Sequence, residues 1–221
     1  MFEKIYLSVN LHIRGGEMRY RNQKGFTLIE VIVVAGIIAI LAGILVPMIF
    51  SQVDEARITR AHADCSSIAK AIQTFRAHTG KWPSFSAGTA PCVVGNATLI
   101  DVLMSGGNTP ALDAGVTGWT LGGSGTAYLS WFLRSDVPGS AASGNPGNNC
   151  YPVPSSPDGV GWKGPYLSAT NEDPWGNAYV INAPDFENNN KVYVLSAGPN
   201  GIIETTTTGG LSGDDIGISI K

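Results

Sequence analysis

Twenty nearly unbroken apolar residues, Val31 to Phe50, follow the segment Lys24-Gly25-Phe26-Thr27-Leu28-Ile29-Glu30, which sets one carboxylate at the head of an otherwise hydrocarbon helix. At ~1.5 Å per residue the run reaches ~30 Å, the thickness of a bilayer's hydrocarbon core. Arg14, Arg19, Arg21 and Lys24 precede it. The N-terminal flank is therefore expected on the cytoplasmic side, and everything past Phe50 on the other. A secretory signal peptide shares the basic start and apolar middle, but its apolar region is shorter and no small-residue cleavage site follows Phe50. An unpaired carboxylate in a bilayer is costly, so Glu30 needs a counter-charge, and a second copy of the same chain is the expected source.

The rest of the 221-residue chain is long enough for one soluble domain that buries its own core. Up to Gly25 it holds five basic and two acidic residues, which leaves nine basic against fifteen acidic beyond, a net charge of -6. That balance argues against nucleic acid as the main partner. Catalysis finds no support, since His62 and His78 lie on or near a helix, the acids are dispersed, and neither Gly-x-Ser-x-Gly nor a phosphate loop occurs. Of three cysteines, Cys65 falls on a helical stripe, where small buried thiols are common. Cys92 and Cys150 bracket a Gly-rich stretch and are the expected disulfide, contributing about 3 to 5 kcal/mol through the unfolded chain. Scattered histidines and the lack of a Cys-x-x-Cys spacing speak against a thiolate metal site.

Five segments are expected: a leader (1-25), an apolar helix (26-52), an amphipathic continuation (53-80), a Gly-rich middle region (84-160) and a C-terminal sheet region (161-221). In the third, Ala61, Cys65, Ile68, Ile72 and Phe75 recur at helical spacing and should pack on a sheet. Pro47 favours a kink or local melting, and Gly80 with Trp82-Pro83 should end the helix. Thr98 to Met104 reads as a short helix, whereas Tyr128 to Leu133 is too short to distinguish a buried strand from a helical turn. Tyr179 to Asn182, Val192 to Ala197 and Ile216 to Ile220 read as strands, with Trp162 and Trp175 as core anchors near turns.

Gly25-Phe26-Thr27-Leu28-Ile29-Glu30 resembles the processing site of type IV pilins and of the pseudopilins of type II secretion. The resemblance implies an α+β type IV pilin-like fold, a long N-terminal helix packed on a small antiparallel C-terminal sheet. It also implies a prepilin peptidase that cuts between Gly25 and Phe26 and methylates the new amine, which a neighbouring subunit's Glu30 can then pair. Met18 offers a second start that would leave a short basic leader, with Met1 to Glu17 an extension of the reading frame.

Ala197-Gly198-Pro199-Asn200-Gly201 and Asp214-Asp215 place hard oxygen donors at both ends of one loop, and a solvated acidic turn is the plain alternative to a calcium site. Gly164-Pro165-Tyr166-Leu167, Asp173-Pro174-Trp175-Gly176-Asn177-Ala178-Tyr179 and this loop are similar to the C-terminal signature of the major pseudopilin of type II secretion. That likeness implies calcium held by the Ala197 carbonyl, the Asn200 and Asp214 side chains and Asp215. Asn200 stands where the family usually has Asp.

What the resemblance implies overall is a non-catalytic filament subunit anchored by one helix in a bacterial inner membrane, its C-terminal domain in the periplasm or outside. Its implied partners are its own copies, minor pseudopilins, an assembly ATPase, an inner-membrane platform protein and the prepilin peptidase. A pilin of a surface type IV pilus serving adhesion, motility or DNA uptake is the alternative. A membrane-anchored binding module acting through the Gly-rich stretch is a third reading, and Asn96-Ala97-Thr98 or Thr205 to Thr208 could carry sugar.

Overall fold

This computed structural model describes residues 25-88, 97-123, 125-134, 151, 156 and 158-221. Residues 1-24 of the leader, Asn96 and the Cys92-Cys150 pair lie outside the described residues. In chain order the elements are α1 (Leu28–Thr79), β1 (Phe85–Gly88), β2 (Ala97–Leu99), β3 (Val102–Met104), β4 (Ala111–Leu112), β5 (Thr126–Tyr128) and α2 (Leu129–Leu133). Then follow β6 (Val180–Ile181), a 3-10 turn (Ala183–Phe186), β7 (Tyr193–Ser196), β8 (Ile202–Ile203) and β9 (Ile216–Ser219).

The chain divides into two compact units, the first ending at Met48 and the second running from Ile49 to the end. In the first, every residue from Gly25 onward is exposed, and α1 contains an 18-residue window with a mean hydropathy of 2.9, none of it buried. By length and composition this stretch can cross a bilayer. Pro47 lies inside α1, and the helix is continuous through it rather than melted.

In the second unit the helical stripe faces the core as its spacing predicts: Ala61, Cys65, Ile68, Ile72 and Phe75 are all buried. Gly80 ends the helix, adopting φ 73° and donating its N–H to the Arg76 carbonyl at 2.8 Å. That left-handed turn favours glycine because it carries no Cβ.

The central sheet has five strands in the order β5-β3-β6-β7-β9. It is mixed rather than antiparallel, because β3 and β5 run parallel while the other pairs are antiparallel. The expected helix over Thr98 to Met104 is replaced by β2 and β3. Three consecutive apolar residues, Val102, Leu103 and Met104, are all buried because they pair between β5 and β6 with both sheet faces covered. Such a strand shows no alternation, which is why periodicity misread it. The ambiguous segment divides: Tyr128 closes β5 and Leu129–Leu133 forms α2.

Register explains the two cores. Leu103 pairs with Ile181, which pairs with Val194, and this row packs with Cys65, Ile68, Ile72 and Phe75 of the helix. The alternate row, Met104, Val180 and Leu195, joins a second cluster with Trp119, Ala197 and Ile203. Side chains of period two thus bury against α1 on one face and against the middle region on the other. The Gly-rich middle region expected over 84-160 supplies two strands of the central sheet, β3 and β5, and a cover for its far face.

Candidate functional site

Two places carry the residues singled out by sequence. At the head of α1, Thr27 caps the helix: its carbonyl accepts N–H bonds from Glu30 at 3.1 Å and Val31 at 3.3 Å, and its hydroxyl accepts from the Glu30 N–H at 3.3 Å. Thr27-Leu28-Ile29-Glu30 therefore has the Thr-x-x-Glu spacing of a capping box, a signal the sequence reading passed over. Glu30 sits in the first helical turn, where the backbone's positive end favours an acid. Phe26 is 83% exposed and, with Glu30, Val31 and Val34, lines one shallow hollow on the helix. Gly25 precedes the helix in open chain, and a Cβ there would meet nothing within 4 Å. The peptide bond between Gly25 and Phe26 is thus unencumbered in one protomer, and the carboxylate lies one helical turn from the residue whose amine a cut would free.

The second place is the loop from Gly198 to Asp215, entered from β7 and left into β9. Antiparallel pairing of β7 with β9 sets Ser196 opposite Ile216, so the loop's two ends are held together by the sheet. Asn200 and Asp214 meet directly, the Asn200 N–H donating to Asp214 Oδ2 at 3.1 Å. The Asn200 side chain turns back on its own segment, its Oδ1 accepting the Ile202 N–H at 2.6 Å. Asp215 is 9% exposed, and its Oδ2 accepts the N–H groups of Glu204 at 2.9 Å and Thr205 at 2.7 Å. Glu204, which sequence reasoning did not select, joins them by accepting the Asp214 N–H on Oε2 at 3.1 Å. Gly198 is required at its position, since φ is 62° and a Cβ would stand 2.3 Å from the Asp214 carbonyl oxygen. Ala197 is buried immediately before it.

The loop gathers acidic oxygens that its own hydrogen bonds do not all satisfy. Asp214 Oδ1 and Asp215 Oδ1 are both buried and without a hydrogen-bond partner. Burial pushes the Asp215 carboxyl upward, with the neighbouring Glu204 charge adding to it and hydrogen bonds from Thr205 and Glu204 opposing it. Two orphaned carboxylate oxygens on adjacent residues are costly unless something positive meets them. No group of three or more His, Cys, Asp or Glu side chains placed to hold a metal occurs among the described residues. A cation here would thus need amide and carbonyl oxygens beside the two aspartates, a hard-oxygen set that suits calcium and not a thiolate or imidazole metal.

Other residues take structural places. Trp162 is half-buried and donates its indole N–H to the Phe132 carbonyl at 2.6 Å. Trp175 lies in a turn held by Asp173, whose Oδ1 accepts the N–H groups of Trp175 and Asn177 at 3.0 and 2.8 Å. His78 contacts the Tyr166 hydroxyl at 3.2 Å and His62 is exposed on α1. Among the described residues Cys65 is a free, buried thiol.

Residues 20–46 match the family described as the prokaryotic N-terminal methylation motif, and residues 152–212 match type II secretion system protein G. The type II secretion system core protein G of Pseudomonas aeruginosa is 41% identical over 71 residues, covering 32% of this chain and 50% of that protein. The protein of the same name from Pectobacterium carotovorum is 33% identical over 73 residues, 33% of this chain and 46% of the relative. The chain thus spans about half the length of these curated relatives. Fimbrial protein EcpC of Eikenella corrodens is 30% identical over 147 residues, 60% of this chain and 96% of that protein. No solved structure matches. With the methylation motif at its head, an unburied apolar helix behind it and a fimbrial relative aligned over nearly its whole length, the chain belongs to the type IV pilin-like family, and its C-terminal segment is similar to type II secretion system protein G.

Proposed function

We propose that this chain is the structural subunit of a pseudopilus, polymerising from the inner membrane to drive protein export by a type II secretion system. The observation that carries this reading is the joint presence of the methylation motif and the protein G segment in one chain. A prepilin peptidase would cut between Gly25 and Phe26 and methylate Phe26, which creates a cation at the mouth of the helix. Glu30 of one subunit would then pair with the Phe26 amine of its neighbour. Alone, each charge meets a desolvation penalty in the apolar phase; together they do not, so lateral association is the favourable step. The exposed apolar surface of 26-50 would be buried between helices of the fibre. An assembly ATPase, a platform membrane protein and minor pseudopilins would complete the machine, with the C-terminal domain on the periplasmic or outer side. The subunit itself would do no catalysis.

Calcium is part of the same proposal. The Asp214 and Asp215 carboxylates, the Asn200 amide and the Ala197 carbonyl would hold it, and the ion would neutralise the buried acid pair and stiffen the outer domain. A surface type IV pilus is the second reading, favoured by the alignment that covers 96% of a fimbrial protein. Deleting the gene tests the choice: loss of exoprotein release with no long surface fibres at native expression supports the pseudopilus, and intact release with loss of fibres supports the pilus. Charge removal tests the mechanism. If Glu30→Ala subunits enter filaments beside wild-type copies as readily as wild type does, the pairing scheme is wrong.

A further inference from the structure

We infer that residues 108-119 form a strap that holds the acidic loop of residues 198-215 in shape, with Trp119 as its positioning residue; the part of this inference that concerns calcium rests on the reading above. The strap is anchored first at Asn108, whose N–H donates to the Gly176 carbonyl at 2.9 Å and whose carbonyl accepts the Ala178 N–H at 2.8 Å. It then runs parallel to the loop as β4 beside β8, the Ala111 N–H donating to the Gly201 carbonyl at 3.0 Å and the Asp113 N–H to that of Ile203 at 3.0 Å. Further on, the Trp119 indole N–H donates to the Thr205 carbonyl at 2.7 Å and the Thr207 N–H donates to the Thr117 carbonyl at 3.4 Å. Contacts therefore fall on 201, 203, 205 and 207, alternate residues along one edge of an extended chain.

Thr205 joins the strap to the acids. Its carbonyl accepts the Trp119 indole N–H while its own N–H goes to Asp215 Oδ2, so the two bonds fix the peptide planes on either side of the Thr205 Cα, and losing the first loosens the residue whose N–H makes the second. Trp119 is 7% exposed and packs with Met104, Leu195, Ala197 and Ile203, which fixes its ring against the sheet. Gly118 lets the strap come this close: at φ 90° it has no side chain, and a Cβ would stand 2.0 Å from Thr207 Oγ1. The family match to protein G starts at residue 152, so the strap comes from outside the segment it braces. A long Thr- and Gly-rich loop left to a cation alone would have to be ordered by that cation; these bonds order it by other means, so less of the binding energy is spent on closure.

The test uses the full chain in detergent, comparing wild type with Trp119→Phe, which keeps an aromatic ring but removes the indole N–H, and with Gly118→Ala, which leaves Trp119 and displaces the strap. Amide hydrogen exchange is measured with chelator present, and calcium affinity by titration calorimetry. The expected result is exchange about tenfold faster at Ile203 to Thr207 in Trp119→Phe, with the amides of β6 and β7 unchanged, and calcium affinity about five- to tenfold weaker. Unchanged loop exchange in both variants overturns the strap. Failure of the wild-type chain to bind calcium overturns the cation reading instead, and the exchange comparison in chelator still decides the strap. Should Trp119→Phe not fold, Gly118→Ala carries the comparison.

Discussion

Replacing Asp215 by Asn separates a structural acceptor from a cation ligand, because the two roles predict opposite responses to calcium. In the present geometry Asp215 Oδ2 accepts two backbone N–H groups while Oδ1 is buried and unpartnered. A hydrogen bond to a charged acceptor contributes about 1.5 to 3 kcal/mol against about 1 for a neutral one, so neutralising the acceptor of two bonds loses roughly 1 to 4 kcal/mol. The buried, uncompensated charge costs about 1 to 3 kcal/mol or more in the other direction, and Asn removes that cost while keeping an oxygen for the two amides. These nearly cancel. In chelator, Asp215→Asn should lie within about 2 kcal/mol of wild type, on either side. Calcium at about 100 times its dissociation constant should then stabilise wild type by about 2.7 kcal/mol, or about 5 to 10 °C in Tm for a chain of this size, and leave the variant almost unmoved. Thermal unfolding of the detergent-solubilised chain, followed by circular dichroism with calcium and with chelator, reads the difference. A wild-type Tm indifferent to calcium, with the variant several degrees lower in both buffers, would mean that Asp215 is a loop acceptor and nothing more.

Phe75 is fully buried and meets Tyr151, Tyr166 and Phe132 edge-on at ring separations of 5.1, 5.7 and 6.2 Å, so Phe75→Ala should cost about 3 to 5 kcal/mol and lower Tm by roughly 10 °C or more; a loss below 1 kcal/mol in denaturant titration would contradict this packing. Gly198→Ala must adopt a left-handed backbone and push into the Asp214 carbonyl, so it should cost roughly 2 kcal/mol or more, with the loss also visible as faster exchange of the Asn200 amide. Burial first, then the Asp64 and Asp173 charges, push the Cys65 thiol from its ordinary 9.0 up to about 12. Because the folded value is the raised one, Cys65 leaves stability untouched below about pH 9 and diminishes it as pH climbs toward 12. In a Cys92→Ser, Cys150→Ser background, iodoacetamide at pH 8 should therefore spare the native thiol and label it only after denaturation; rapid native labelling counted by mass spectrometry would refute its burial.

The N-terminal half was legible because its signals are local. Periodicity along α1 named the buried stripe Ala61, Cys65, Ile68, Ile72 and Phe75 without reference to any other element, and Gly80 marked its end through backbone freedom that only glycine has. The loop residues Asn200, Asp214 and Asp215 were reached through resemblance and an acidic pair, but Glu204 was not, since its role depends on the chain folding back so that it accepts the Asp214 N–H. Thr27 was missed although the sequence does contain its signal, the Thr-x-x-Glu spacing.

Tertiary structure decided the rest. β6, β7 and β9 fall where strands were expected, but strands of two or three residues such as β2, β3 and β8 are too short to display a period, and β3 is buried along its whole length, which erases the alternation that would have marked it. The strap from Asn108 to Trp119 is bound mainly by backbone groups, which every residue carries, so no residue type announces it. Sequence alone therefore determined where the chain can enter a membrane and which helix face seeks a core, because both follow from side-chain chemistry at fixed helical spacing. Which distant segments close over the acidic loop was left to the fold, because hydrogen bonds between peptide groups take their partners from chain geometry and not from residue identity.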